Sequence, residues 1–389
     1  MHLLTIMLLF SYPFVIFELF CLFDVSGASK VASSEVFSTF FRNFAVEMMT
    51  LHVFNPEHDL ALAANLSNFT SPRAGRLLRR EHGYLPALWA TADDVVLVED
   101  VATAEKGFRQ LTGRTYGRFV TKAQVARLPI TAVDVWGWDL AIRAFLLRQG
   151  VEVRLLPTEE QIATIRDLSH RRHAGRILAQ LQGAGITGEA TMTDSLDGVR
   201  DILSRMGRIV VKAPWSSSGR GVRFVEGALT PADEGWVRNI IARQGLVMVE
   251  PYYKKVEDFG MEFVSDGEGR VTYLGLSVFE TSNGAYTGNV LASEEEKSII
   301  ISRYITTNLL NNIREKIKVL AGDAFKGKYQ GPFGVDMMVV ARDGEDGFWL
   351  HPCVEINLRR TMGHVALCLT KITDSKIFGI KFARNDENM

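Results

Sequence analysis

Apolar and polar positions alternate in short blocks from residue 49 onward. The runs "LHVF" (51–54) and "DDVVLVE" (93–99) are β-rich, and "PALWATA" lies between them. "WGWDLAIRAFLLRQG" (136–150) carries apolar residues at helical spacing and stops at Gly150, after which "VEVRLLP" reads as a further strand. Strands separated by helical patterns predict a mostly parallel sheet with helices on its faces, here an N-terminal α/β domain over residues 49–168. "NPEHDLALA" then places Asn55, Glu57, His58 and Asp59 at the end of the first strand, where open α/β sheets bind ligands. The alternative reading is a polar loop with Asp59 as an N-cap.

Beyond residue 168 the pattern changes. A basic amphipathic helix ("LSHRRHAGRIL") and a second helix ("SLDGVRDILSRMG") precede the strand "RIVVKAP", a Ser/Gly loop and a returning strand "GVRFVE". The stretch "VVKAPWSSSGRGVRFV" therefore predicts a hairpin with an oversized tip. Gly219 and Gly221 permit positive φ, Ser216, Ser217 and Ser218 add hydroxyl donors, and Lys212 stands on the strand just before them. Such a tip suits a triphosphate, although a plain Gly/Ser hairpin with a solvent-facing lysine has the same composition. The pattern G-x-x-x-x-G-K-[ST] is absent.

Further on, "GPFGVDMMVV" (331–340) carries Asp336, and the partner strand in "FWLHPCVEINLRR" carries Glu355, Asn357 and Arg359. Period-2 geometry puts the last three on one face, with Asp336 beside them. Carboxylate and amide oxygens suit Mg²⁺, and the guanidinium suits developing phosphoryl charge. The alternative is a solvent-facing amphipathic hairpin.

Composition narrows the partners. In 389 residues Lys plus Arg (44) nearly balances Asp plus Glu (45), which gives no basic surface for nucleic acid. Cys21, Cys353 and Cys368 are far apart, without a C-x-x-C pair, which argues against a disulfide framework or a cysteine-rich zinc site and for a reducing compartment. The apolar segment 3–23 contains Pro13 and Glu18 and is preceded only by His2 as a basic residue. Residues 1–48 read either as a mis-assigned start, with translation from Met48 or Met49 and a cytoplasmic protein, or as a signal or anchor cleaved near Ala28. The sequons at Asn65 and Asn68 matter only for an exported chain.

Lys212 with its Gly/Ser loop, the strand "LVMVEPYY" ending in an acidic hinge, and the ordered pair "GVDMMVV" and "VEINLRR" together resemble the ATP-grasp superfamily between about residues 166 and 366. The resemblance implies a mixed α/β and α+β chain: the N-terminal parallel domain, a lid over 169–250, and a C-terminal subdomain over 251–389 with the metal site and an atypical tail. It implies ATP and Mg²⁺, with Mn²⁺ as an alternative. Lys212 would contact phosphate and Ser216 to Gly221 would cover it. Arg171 or Arg172 would replace a lysine that many members carry there. Glu250 and Tyr253 would meet adenine, Glu262 or else Glu257 the ribose, and Asp336, Glu355 and Asn357 the metal. Arg359 matches an arginine used near the γ-phosphate or acyl phosphate.

The implied reaction is activation of a small-molecule or peptide carboxylate as an acyl phosphate, attacked by an amine or, less often, a thiol. A phosphotransferase on the same fold and a non-catalytic nucleotide-binding protein are the alternatives. His364 reads as facing the acceptor or as a capping or core histidine, and Arg73 as a carboxylate binder or part of a solvated helix. The carboxylate, the acceptor and the oligomeric state are not written in these motifs.

Overall fold

The computed structural model describes residues 48–216, 221–282, 285–342, 344 and 346–372. The apolar leader, the tail beyond 372 and three of the proposed loop residues, Ser217, Ser218 and Gly219, lie outside the described residues.

The first layer comprises β1 (Thr50–Val53), α1 (His58–Ala64), α2 (Arg73–His82), β2 (Val95–Leu97), α3 (Val101–Thr112), β3 (Phe119–Val120), α4 (Lys122–Val125), β4 (Ala132–Val135) and α5 (Leu140–Arg148). Its strands are parallel in the order β3–β2–β1–β4, so the direction of winding reverses between β1 and β4. Leu51 and Val96 are fully buried because helices and loops cover both faces of the sheet. Asp100 and Asp139 cap α3 and α5, each accepting an amide N–H at 2.8 Å.

Two local expectations fail here. The segment 151–157 is not a strand but holds a single 3₁₀ turn, Val153–Leu155. Val151 and Leu156 reach the core while Val153 is exposed, a spacing of five residues that a turn satisfies and a period-2 strand does not. Asp59 is not the N-cap of α1: the cap is Glu57, which frees the Asp59 carboxylate for a distant partner.

After α6 (Glu159–Leu168) and α7 (Arg171–Gln180) comes an antiparallel sheet, β5 (Thr191–Thr193), β6 (Arg208–Lys212), β7 (Val222–Glu226) and β8 (Val247–Pro251) in the order β5–β8–β6–β7. Helices α8 (Leu196–Met206) and α9 (Pro231–Gln244) bury Val199, Ile202 and Val237 against Val211 and Val249. β6 and β7 form the expected hairpin, with Lys212 opposite Val222. Gly221 does not have the positive φ expected of it. Glycine is needed there for another reason: a Cβ would collide with the Ser216 side chain where the chain folds back on itself.

The largest sheet contains β9 (Lys255–Ser265), β10 (Val271–Ser282), β11 (Ala285–Asn289), β12 (Gly331–Ala341) and β13 (Phe348–Asn357), antiparallel in the order β11–β10–β9–β12–β13. Helices α10 (Glu294–Ser302) and α11 (Thr307–Phe325) pack on one face, where Phe259, Phe263, Phe325 and Phe333 are almost wholly buried. Helix α12 (Met362–Thr370) follows β13, and its Val365, Ala366 and Leu369 share a core with Phe54 and Val96 of the first layer. The architecture is thus a parallel α/β layer followed by two antiparallel α+β layers, as the sequence patterns and the family resemblance imply. No described helix is long and apolar enough to cross a membrane.

Candidate functional site

A cleft of about 360 Å³ opens where the three layers meet. The first layer contributes Phe54, Asp59 and Trp136, which follow the carboxyl ends of β1 and β4 at the point where the strand order reverses. Lys212 and Ser216 come from the hairpin layer, and Arg171 from the start of α7. The large sheet supplies Glu262, Asp336, Glu355 and Asn357, and Arg359 follows β13.

Antiparallel pairing of β12 with β13 puts Asp336 directly opposite Glu355, after which the register slips. Asn357 Nδ2 donates to Asp336 Oδ2 at 3.1 Å, and Arg359 Nη2 donates to Asn357 Oδ1 at 3.0 Å. Arg359 also grips Asp59 with two parallel bonds, Nε to Oδ1 and Nη2 to Oδ2, both 2.8 Å. Arg171 lies on the other side of the acidic row, with Nη1 2.9 Å from Glu355 Oε2 and Nη2 donating to Ser216 Oγ at 3.1 Å.

The charges follow from this geometry. Burial, then the nearby Glu355 and Glu262 carboxylates, push Asp336 up to about 7 against the opposing pull of Arg359 and Asn357. Burial also works against a charged Asp59, but the Arg359 guanidinium more than offsets it and holds that carboxyl below its ordinary value. Burial disfavours the Arg359 charge as well, yet Asp59, Glu355 and Asp336 keep it above the usual arginine value.

The remaining sequence candidates divide by position. Lys212 is buried and bonds Glu250 Oε2 at 2.5 Å, with Lys212 lining the cleft and Glu250 behind it. Tyr253 turns edge-on to the buried His351, with ring centroids 5.6 Å apart. Arg172 is turned to Asp167, so of the two candidate arginines it is Arg171 that faces the cleft. Glu257 does not line the cleft, whereas Glu262 reaches its floor beside Asp336 and lies 3.0 Å from His364 Nδ1. A Cβ at Gly363 would collide with the Glu262 carboxylate, so glycine at the start of α12 is what lets that carboxylate lie flat. His364 is a buried capping histidine: its Nδ1 accepts the Thr361 N–H at 3.1 Å in the capping box of α12.

Asp336, Glu355 and Asn357 suit a hard divalent cation as a set, because two crowded carboxylates and an amide oxygen offer oxygen ligands whose mutual repulsion a cation relieves. No group of three or more His, Cys, Asp or Glu side chains placed to hold a metal occurs among the described residues. A cation here would therefore draw much of its coordination from water and from phosphate oxygens.

No family model matches the sequence. No curated protein matches it either. Solved structures do. The N5-carboxyaminoimidazole synthetase from Staphylococcus aureus, complexed with ADP, is similar at 11% identity and a TM-score of 0.45, over 81% of this chain and 71% of that one. The biotin carboxylase domain of Hydrogenobacter thermophilus 2-oxoglutarate carboxylase, in complex with MgADP, gives 12% identity and 0.49 over 83% and 69%. Biotin carboxylase from Campylobacter jejuni gives 13% and 0.48 over 83% and 69%. At such identities and scores the overlap itself carries no argument about chemistry, which rests on the residues above.

Sequence reasoning did not find Asp59 as the partner of Arg359, nor the aromatic wall of Phe54 and Trp136. Both lie at strand ends of the first layer, and only the sheet's switch point hinted that ligands gather there.

Proposed function

We propose that this chain is an ATP-dependent ligase of the ATP-grasp type, which activates a carboxylate as an acyl phosphate for attack by an amine. The observation that carries this reading is the presence of three cations, Arg171, Lys212 and Arg359, in the lining of the same cleft as the carboxylates Asp336 and Glu355, with Arg171 ion-paired to Glu355. A phosphoanhydride bound there meets positive charge from both sides, and phosphoryl transfer asks the protein for little beyond positioning and charge stabilisation.

Lys212 and Arg171 take the phosphate oxygens, exchanging Glu250 and Glu355 for them. Glu250 and Tyr253 border the base, and Glu262 is the candidate for the ribose. Mg²⁺ held by Asp336, Glu355 and Asn357 would supply charge neutralisation at the phosphates. Arg359, fixed in orientation by Asp59, meets the carboxylate and the charge that develops on the transferred group. Ser216, which accepts a hydrogen bond from Arg171, stands on the phosphate side of the cleft. Residues 49–168 serve the substrate side, 169–250 the lid and the remainder the metal side. Cys353 and Cys368 are free thiols, which fits a reducing, cytoplasmic setting.

Calorimetric titration of ATP with and without Mg²⁺ into the wild type and Glu355→Ala tests this. Mg²⁺-dependent binding that Glu355→Ala loses supports the reading, and ADP release with pooled carboxylates and amines completes it. Absence of nucleotide binding overturns it, and a stable phosphorylated product formed without any amine replaces the ligase with a kinase.

A further inference from the structure

The acceptor side of the cleft differs from the phosphate side. Every described cation that lines the cleft, Arg171, Lys212 and Arg359, belongs to the phosphate side or reaches out from it. The first-layer wall is apolar: Phe54 meets Trp136 edge-on at 4.9 Å, and Leu78 and Met362 extend the surface. One charge stands in this wall, the Asp59 carboxylate, and Arg359 is its hydrogen-bond partner there. A carboxylate has about four lone-pair sites, and the guanidinium fork takes one on each oxygen. The Asp59 side chain keeps 20% of its surface exposed and lines the cleft, so a ligand there can reach the carboxylate.

We propose that Asp59 seats the ammonium group of the acceptor, and that the acceptor is a primary amine with an apolar or aromatic body and no phosphate. This rests on the ligase reading and names its second substrate. A group on Asp59 and a carboxylate on Arg359 are neighbours, because the two side chains touch at 2.8 Å; once the ammonium has given up a proton to water, its nitrogen attacks the carbonyl carbon of the acyl phosphate, the C–O bond to phosphorus breaks and inorganic phosphate leaves. The aromatic and aliphatic wall takes the body of the amine, while a phosphorylated amine finds a carboxylate and hydrocarbon where it needs donors.

The test titrates phenethylamine and phosphoethanolamine calorimetrically into the full chain, first free and then saturated with a non-hydrolysable ATP analogue. Phenethylamine is expected to bind, Asp59→Asn to weaken it roughly tenfold or more, and phosphoethanolamine to bind far more weakly. Leu78→Ser, on the wall and away from the ion pair, is expected to weaken phenethylamine as well, which keeps the test decisive if Asp59→Asn fails its thermal-melt control. Preference for phosphoethanolamine, or phenethylamine binding that neither variant changes, overturns the proposal. The analogue titration separates the two ideas: an analogue that binds while phenethylamine does not leaves the ligase reading standing and removes only the amine seat.

Discussion

Burial first, and then Glu355 opposite it and Glu262 nearby, push the Asp336 carboxyl up to about 7. The folded state then binds this proton more tightly than the unfolded chain, whose carboxyl titrates near 3.8. Its contribution to stability is full below that value and is lost as pH rises to about 7. Melting curves at pH 5 and 8 should therefore show wild type losing more than Asp336→Asn, by roughly 5 °C, and Mg²⁺ with nucleotide should stabilise wild type more at pH 8. Equal losses in the two proteins would reject this assignment. Arg359→Lys should lower ADP release about 100-fold with an intact fold, since a point charge cannot reproduce two parallel bonds to Asp59. At this scale the polar row was readable because a strand's period of two puts Glu355 and Asn357 on one face, with Asp336 opposite Glu355. The Asp59–Arg359 pair was not, because it joins positions 300 apart in sequence and no local pattern encodes it.

Among the elements, the start of α12 is the most constrained. Gly363→Ala places a methyl group against the Glu262 carboxylate, and denaturant unfolding should show a loss of about 1–3 kcal/mol. A neutral result would mean that Glu262 moves without cost. The hairpin of β6 and β7 was legible from two apolar runs around small residues. The turn at Val153–Leu155 was not, since "VEVRLLP" has strand composition and only the fold determines that Val151 and Leu156 are the residues buried.

Across the whole molecule, the first layer is fastened to the large sheet by more than the Asp59 contact. Arg360 donates to Asp134 at 2.8 Å, stacks over Trp89 at 4.4 Å, and its amide bonds the Trp136 carbonyl at 2.9 Å. Arg360→Ala should lower stability by about 1–2 kcal/mol while the nucleotide dissociation constant changes less than about threefold, as melting and titration would show. A large change in nucleotide affinity alone would instead place Arg360 in the site. The order of layers could be inferred from the alternation of strands and helices. How they close on one another could not, because the sealing core joins Phe54 to Val365 and such pairings leave no mark in either segment.

That late closure has a consequence for synthesis. On the ribosome the first layer emerges long before residues 359–369, so Phe54 and Val96 wait without α12, and Asp59 without its arginine, which lies 300 positions further on. A nascent or prematurely terminated chain ending before residue 359 displays both the uncovered aromatic surface and an unpaired carboxylate. Chaperones would meet that surface during translation, and the cleft acquires its Arg359 cation only after all three layers' strands have been made.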